Sequence, residues 1–311
     1  MLLLALAACS SMPPHPRVSG LDGGFSGEMA RAHVEALESL TPRPPGSRED
    51  QLARAYLMRE LQLAGLEVEE APATDGVHLL AGLRGVSSDE LLLVAPYPTL
   101  AEGDPVDDTG AAVLLEMARV FGSQSRPAYS LRFAFCETRA SPRRAGGSLR
   151  RASRETDLPP VSSRAASRER VVAAGRSLAA ALDASGELEG LRGVIVIDRV
   201  GRSGLRVARD LRSHPVFREI FWESATALGL DAAFPSDEGW ASSEGLHIGF
   251  RERGMDRLVV LTDEAVVRPD HVRSGSSAEV SVATLETVGR VGVEALERIM
   301  QRLSKVDAFS P

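Results

Sequence analysis

The fold class can be inferred from residues 91–100, which read LLLVAPYPTL. The apolar run Leu91–Ala95 indicates a strand that is buried on both faces, as in the centre of a mostly parallel sheet. The segments GVIVID at 193–198 and DRLVVLTD at 256–263 have the same character, and helical patterns separate the three strands. Strands that alternate with helices predict an α/β fold, in which ligand sites lie at the carboxyl ends of the strands.

The other elements are predicted to surround these strands. Apolar residues at helical spacing predict helices at 27–40, 49–65, 109–121, 214–228 and 281–304. LEVEEAPA and VHLLAGLRG predict an outer antiparallel pair, YSLRFAFC predicts one more strand, and 137–191 predicts two short helices among loops. The sequence therefore predicts one domain over 27–311. We expect a three-layer α/β sandwich whose central sheet is mostly parallel, with antiparallel outer strands and helices on both faces.

The N-terminal stretch MLLLALAAC is an apolar run that stops at a cysteine. It resembles the lipobox of bacterial lipoproteins, in which the cysteine, here Cys9, is lipidated. Residues 1–9 are therefore predicted to be a lipoprotein signal segment, and the Ser-, Pro- and Gly-rich residues 10–26 a flexible tether. This predicts a protein of the bacterial cell envelope, held at the extracytoplasmic face of the membrane by a lipid anchor.

The net charge and its distribution along the chain restrict the classes of macromolecule that the protein can be expected to bind. A net charge of −7 and a pI near 5.5 argue against nucleic acid, because phosphate binding requires a basic surface. The segment 139–176 is an exception, with ten arginines against three acidic residues. It predicts either a contact with an anionic envelope component beside the lipid anchor or a solvated surface loop.

Seven segments occur in an order that resembles the bacterial zinc aminopeptidases and glutaminyl cyclases, which share one fold. The resemblance covers about residues 30–304, and each motif is short. The segments are TPRPPGS, VAPYPT, DDTGAAVLLEMARVF, LRFAFCE, VIVIDRVGR, HIGFRERGM and the pair Asp270-His271. The resemblance implies zinc at the carboxyl ends of the strands, two ions in the aminopeptidases or one in the cyclases, with a glutamate as general base.

The motifs that would hold zinc depart from the family pattern. The first histidine of the family falls on Pro96 and the following aspartate on Pro98. The glutamate pair retains at most Glu137, the candidate general base, because Thr138 follows it. The strand LLLVAPY thus no longer supplies the groups that the family places at its end.

Other family positions keep a titratable side chain. The bridging aspartate falls on Val106 without a gap and on Asp107 with a one-residue deletion, with Asp108 as the alternative to Asp107. This acidic pair is equally suited to capping the following helix. The remaining candidates are Asp198 and His271 as vestigial metal ligands, and His247 and Tyr97 as pocket residues. Cys136, on an apolar strand, is predicted to be buried and not a nucleophile.

Two hypotheses follow. The first is a degenerate member of the family, an envelope lipoprotein that keeps the fold, holds no zinc or one ion, and binds a peptide or an envelope component. The second is an active single-zinc enzyme of the aminopeptidase or glutaminyl cyclase type that uses Asp107, Glu137 and His271, since three protein ligands and one open position form a catalytic zinc site.

Overall fold

The structure is a computed structural model that describes residues 11–19, 21, 23–73, 76–99, 107–139, 161–236, 242–267 and 279–308. Its strands are β1 (Glu67–Ala73), β2 (Gly76–Leu83), β3 (Ser87–Thr99), β4 (Tyr129–Arg139), β5 (Leu191–Asp198) and β6 (Leu258–Thr262). They form one sheet in the order β1-β2-β4-β3-β5-β6. The pairs β4–β3, β3–β5 and β5–β6 are parallel, whereas β2 is antiparallel to β1 and β4, as predicted.

Helices cover both faces of this sheet. They are α1 (Gly27–Glu38), α2 (Arg48–Leu63), α3 (Thr109–Ser123), α4 (Val161–Ala184), α5 (Pro215–Ala227), α6 (His247–Arg251), α7 (Glu264–Val267) and α8 (Val282–Asp307). Buried residues of α1, α2, α3, α5 and α8 form one apolar core with the sheet, and those of α4 and α6 form a second core on the other face. The predicted three-layer sandwich is confirmed.

The strand β3 lies at the centre of this arrangement. Leu91, Leu93 and Ala95 belong to the first core, while Leu92 and Val94 belong to the second. Each of these side chains is fully buried, and burial of one leucine contributes roughly 1.5–3 kcal/mol. The continuous apolar run therefore has its predicted cause, since β3 has a helical layer on each side.

The region between β4 and β5 differs from the prediction. In the described part of this region, residues 161–190, the structure has the 24-residue helix α4, followed by a short 3-10 helix at Glu187–Gly190. The many Ser and Arg residues of α4 give it little amphipathic pattern, and it packs closely on α6 through two glycines. A Cβ on Gly175 would lie 2.1 Å from the carbonyl oxygen of Leu246, and one on Gly249 would lie 2.4 Å from that of Gly175. Tertiary contact thus explains a helix that periodicity did not indicate.

The described part of the predicted tether contacts α2. Pro13 is buried, and Arg59 Nη1 donates a hydrogen bond of 2.7 Å to its carbonyl oxygen. His15 Nδ1 lies 2.7 Å from Glu60 Oε2, and the Glu60 side chain is 4% exposed. Residues 11–19 are therefore called the docked segment below. Among the described helices, none is both long and apolar enough to cross a membrane.

The docked segment yields a prediction for Glu60→Gln. The change removes the charge that binds both His15 and Arg59, and charge-assisted hydrogen bonds contribute about 1.5–3 kcal/mol. We expect amide hydrogen exchange in residues 11–19 to accelerate by about tenfold or more. The exposed Glu67→Gln is the matched control, and equal exchange in both variants would show that Glu60 does not hold the segment.

Candidate functional site

The carboxyl ends of β3, β4, β5 and β6, together with Asp107 and Asp108 at the start of α3, form what we call the carboxyl edge. Parallel strands bring their ends to one side of a sheet, and this is where ligand sites of α/β folds lie. The fold thus brings Pro96, Glu137 and Asp198 to the same edge, as the sequence predicts.

The prolines at the end of β3 occupy a part of the strand that has a neighbour on one side only. Pro96 and Pro98 pair with Cys136 and Thr138 of β4, but the pairing with β5 ends at Val94. A proline lacks a backbone donor and is therefore tolerated where a strand is unpaired on one side. Both prolines are buried and provide neither a metal ligand nor an acid–base group.

Tyr97 lies between the two prolines and belongs to the first core. Its side chain is fully buried, and its hydroxyl donates to Asp50 Oδ1 at 2.5 Å. Burial raises the pKa of Tyr97 well above its usual value, and the Asp50 carboxylate adds to this shift. Tyr97 therefore fixes β3 to α2, and its hydroxyl faces Asp50 in the protein interior.

Glu137 is held by neighbouring groups in the sheet. Its Oε2 accepts a hydrogen bond of 2.6 Å from the backbone N–H of Val77 in β2, and its Oε1 accepts one of 2.7 Å from Arg139 Nε. The Glu137 side chain is fully buried in this ion pair. A general base needs a free lone pair that faces the reacting water, and both carboxylate oxygens here already have donors.

Asp108 is bound by a buried arginine. Arg43 Nη2 lies 2.7 and 3.0 Å from the two carboxylate oxygens of Asp108, and both side chains are at most 1% exposed. Arg43 also donates to the carbonyl oxygens of Leu37 and Pro98. Burial raises the pKa of Asp108, and the Arg43 charge opposes that shift. The Asp108 carboxylate makes no cap bond to α3, so its partner is Arg43.

Asp107 binds the first residue of α3. Its Oδ1 accepts from Thr109 N at 3.0 Å and from Thr109 Oγ1 at 2.5 Å. Burial raises the pKa of Asp107 to about 6, with the hydrogen bonds of Thr109 opposing and the charge of Asp198 adding to the shift. Of the acidic pair, Asp107 is the residue whose side chain caps α3, in agreement with the helix-cap interpretation.

Asp198 ends β5 beside an arginine. Its Oδ2 lies 3.0 Å from Arg199 Nη2 and 3.2 Å from Arg199 Nε. Just after the neighbouring strand β6, Asp263 Oδ2 lies 3.9 Å from Arg202 Nη1, and Glu264 Oε2 lies 3.4 Å from Arg206 Nε. Every one of these carboxylates therefore has a guanidinium nearby.

His247 and Cys136 are both fully buried. Neither ring nitrogen of His247 has a hydrogen-bond partner within the described residues, and burial lowers the pKa of this ring to about 4, with Asp210 opposing. Burial raises the pKa of the Cys136 thiol, so it stays protonated, as expected for a buried cysteine. His271 and Cys9 lie outside the described residues.

Zinc coordination needs carboxylate or imidazole lone pairs that are free to face one point. Across the described ranges, no three His, Cys, Asp or Glu side chains are arranged to hold a metal ion. Glu137 is bonded toward β2, whereas Asp107 is bonded to Thr109 at the start of α3. The described members of the predicted single-zinc set, Asp107 and Glu137, thus each accept hydrogen bonds from neighbouring groups and do not converge on one point, and His271 lies outside the described residues.

The arginines are the site residues that sequence reasoning missed. Arg43 lies in the TPRPPGS motif, and Arg199 directly follows Asp198 in VIVIDRVGR. An arginine that directly follows an acid at a strand end, or lies two residues after it as Arg139 does after Glu137, is a usable signal for a short-range ion pair. The pairing of Arg43 with Asp108 spans 65 residues and carries no such local signal.

Comparison with solved structures identifies the fold. The chain superposes on a glutaminyl cyclase from an Acidobacteriales bacterium with a TM-score of 0.65 and 16% identity, covering 93% of this chain and 100% of that one. It superposes on a leucine aminopeptidase precursor from Bacteroides thetaiotaomicron (TM-score 0.67, 17% identity, 88% and 97% covered). A Porphyromonas gingivalis glutaminyl cyclase gives a TM-score of 0.67 at 18% identity, with 88% and 99% covered.

These similarities show that the chain has the fold shared by bacterial glutaminyl cyclases and zinc-dependent exopeptidases, as the motif order predicts. No family model and no curated protein matches the sequence. Identities of this size establish the fold alone, so the chemistry has to be inferred from the residues at the carboxyl edge.

The Arg43–Asp108 pair gives a stability prediction. Arg43→Met would leave the Asp108 carboxylate buried without its partner, and breaking a buried pair in this way costs about 3–5 kcal/mol. We expect a large fall in the denaturant midpoint of unfolding, measured by circular dichroism. Arg302→Met, at an exposed position of α8, is the control and should leave the midpoint unchanged. A small effect of Arg43→Met would mean that water reaches and solvates the Asp108 carboxylate in the variant.

Proposed function

We propose that this protein is a catalytically degenerate relative of the zinc aminopeptidases and glutaminyl cyclases. In this proposal it is lipid-anchored through Cys9 in the bacterial cell envelope, where it binds a peptide or another envelope component. The proposal joins the fold, which is that of zinc exopeptidases and glutaminyl cyclases, to the altered chemistry of the carboxyl edge.

One observation carries this proposal. Acidic side chains at the described part of the carboxyl edge are bound or faced by arginines, where a zinc enzyme needs carboxylates free for metal and water. The pairs are Arg43–Asp108, Arg139–Glu137, Arg199–Asp198, Arg202–Asp263 and Arg206–Glu264. Asp107 differs in that it forms no ion pair within hydrogen-bond distance of an arginine among the described residues, and its Oδ1 accepts from Thr109.

The chemistry of hydrolysis explains why these pairs matter. Metal-assisted hydrolysis needs both a positioned ion and a carboxylate base within hydrogen-bond reach of the attacking water. Glu137 is the one glutamate left in the family's pair of positions, so it cannot be base and ligand at once. General-base catalysis alone contributes about 10²–10⁴-fold, and loss of the metal removes more.

We therefore expect the purified protein to release no measurable product from aminoacyl-nitroanilides in the presence of zinc. We likewise expect no cyclisation of peptides with an N-terminal glutamine. The measurements are a chromogenic assay and mass spectrometry of the peptide, with elemental analysis to record the zinc content of the same sample.

The control variants separate a true activity from contamination. Glu137→Gln removes the candidate base, and Glu252→Gln changes an exposed glutamate paired with Arg176. Activity of the wild type that Glu252→Gln keeps and Glu137→Gln abolishes would overturn the proposal. It would instead support the single-zinc enzyme that uses Asp107, Glu137 and His271.

The anchor is tested separately. In a bacterial host that processes lipoproteins, we expect the wild-type protein to sediment with membranes and Cys9→Ser to move to the soluble fraction. The reason is that the acyl chains supply the membrane affinity and the serine cannot carry them. Cys136→Ser is the matched control, because this cysteine is buried within the sheet. Unchanged sedimentation of Cys9→Ser would contradict the anchor.

A further inference from the structure

Arg199 has an unusual backbone conformation. Its φ is 54°, and it is the one non-glycine residue with a positive φ in the part of the chain that the structure describes. Side chains other than those of Gly, Asn and Asp rarely adopt this left-handed region, because Cβ crowds the following carbonyl. The protein therefore keeps an arginine where the backbone alone would favour a glycine.

The left-handed turn directs the guanidinium of Arg199 back onto the preceding residue. Nη2 and Nε approach the same oxygen of Asp198, at 3.0 and 3.2 Å. The Asp198 side chain is 10% exposed and that of Arg199 is 33% exposed, so the pair is largely removed from water.

Asp107 is fastened to the same turn through Thr109. Thr109 Oγ1 donates to Asp107 Oδ1 and accepts a 3.0 Å hydrogen bond from the N–H of Val200, the residue after Arg199. The side chain of Thr109 also packs on Gly201, where a Cβ would lie 2.3 Å from its methyl group. The start of α3 and the end of β5 are thus held together, which places the Asp107 carboxylate beside the turn.

Three carboxylates act on this one guanidinium. Asp198, Asp107 and Asp263 each raise the pKa of Arg199, with Asp198 the largest influence. The charge of Arg199 in turn opposes the raised pKa values of Asp107 and Asp263. Carboxylates that converge from α3, β5 and the end of β6 repel each other unless a cation lies among them.

We propose that Arg199 is a built-in counter-ion, whose guanidinium supplies the positive charge that Asp198 and Asp107 need at the carboxyl edge. A divalent cation would have to displace this guanidinium before it could bind both carboxylates. The inference rests on the proposed function, because it explains how the edge is held together without zinc. The left-handed backbone is retained because the charge outweighs the strain.

The test is a double-mutant cycle with Arg199→Gly, because charge and backbone predict opposite results for this variant. Glycine relieves the left-handed backbone, so a purely conformational role predicts a higher melting temperature. Loss of the counter-ion predicts a fall, and we expect a fall of several degrees, as for the breaking of a largely buried pair. Arg302→Gly, at an exposed site on α8, is a separate reference variant. It measures how far an arginine-to-glycine change lowers the melting temperature where no buried ion pair is lost.

The second arm of the cycle removes the carboxylates. In the background Asp107→Asn/Asp198→Asn, we expect Arg199→Gly to leave the melting temperature unchanged or to raise it. Arg199→Gln removes the charge but keeps the left-handed strain, so it should lower the melting temperature of the wild-type background at least as much as Arg199→Gly and leave that of the double variant unchanged. Equal shifts of the melting temperature in the two backgrounds would overturn the inference, since the effects would then be additive.

Zinc gives the last readout. We expect the melting temperature of the wild-type protein to be independent of added zinc chloride, and a substantial rise would overturn the inference, because ligands of the folded state stabilise it. The cycle needs no substrate, so it is independent of the activity assays. If the wild-type protein were active in those assays while the mutations in the cycle remained non-additive, the proposed function would be refuted and the role of Arg199 would stand.

Discussion

The buried guanidinium of Arg43 joins three elements on which the carboxyl edge depends. It donates to the carbonyl of Leu37 at the end of α1, to that of Pro98 at the end of β3, and to both oxygens of Asp108 before α3. A guanidinium stays charged at every relevant pH and offers five donors in a plane. Its burial is tolerated because those donors find acceptors and its charge finds a carboxylate. This one group therefore links α1, β3 and the start of α3 by hydrogen bonds, in addition to their shared apolar core.

Neutralisation of a carboxylate by a guanidinium recurs along the carboxyl edge. It balances charge without supplying the chemistry that a zinc ion would supply. Zinc and a guanidinium both neutralise carboxylates, but only zinc has an exchangeable coordination position and acidifies a bound water. A guanidinium instead holds carboxylates by directional N–H bonds. The pairs formed by Arg139 and Arg199 therefore hold the Glu137 and Asp198 carboxylates at the strand ends through one oxygen each.

Much of the fold could be predicted because its signals are local. The run Leu91–Ala95 predicts a strand with a helical layer on each side, and that is the environment of β3. The helix α4 escaped prediction because its polar sequence lacks a clear apolar stripe and its packing depends on Gly175 meeting α6. The candidate acids were also visible at strand ends. The partner of Asp108 was not, since the contact of Arg43 with Asp108 exists only after α1, β3 and α3 have packed together.

The docked segment restricts the orientation that the protein can take at a membrane to which it is anchored. Arg59 and Glu60 hold Pro13 and His15 near the C-terminal end of α2, whereas Asp50 lies at the carboxyl edge about 15 Å away along the same helix. Four residue steps separate Cys9 from Pro13, a reach of about 14 Å at full extension. With Cys9 acylated as proposed, a connection this short would keep the protein close to the bilayer and would favour one orientation of the domain relative to the membrane. The amino ends of the parallel strands would face the lipid headgroups, and the carboxyl edge would point into the aqueous space.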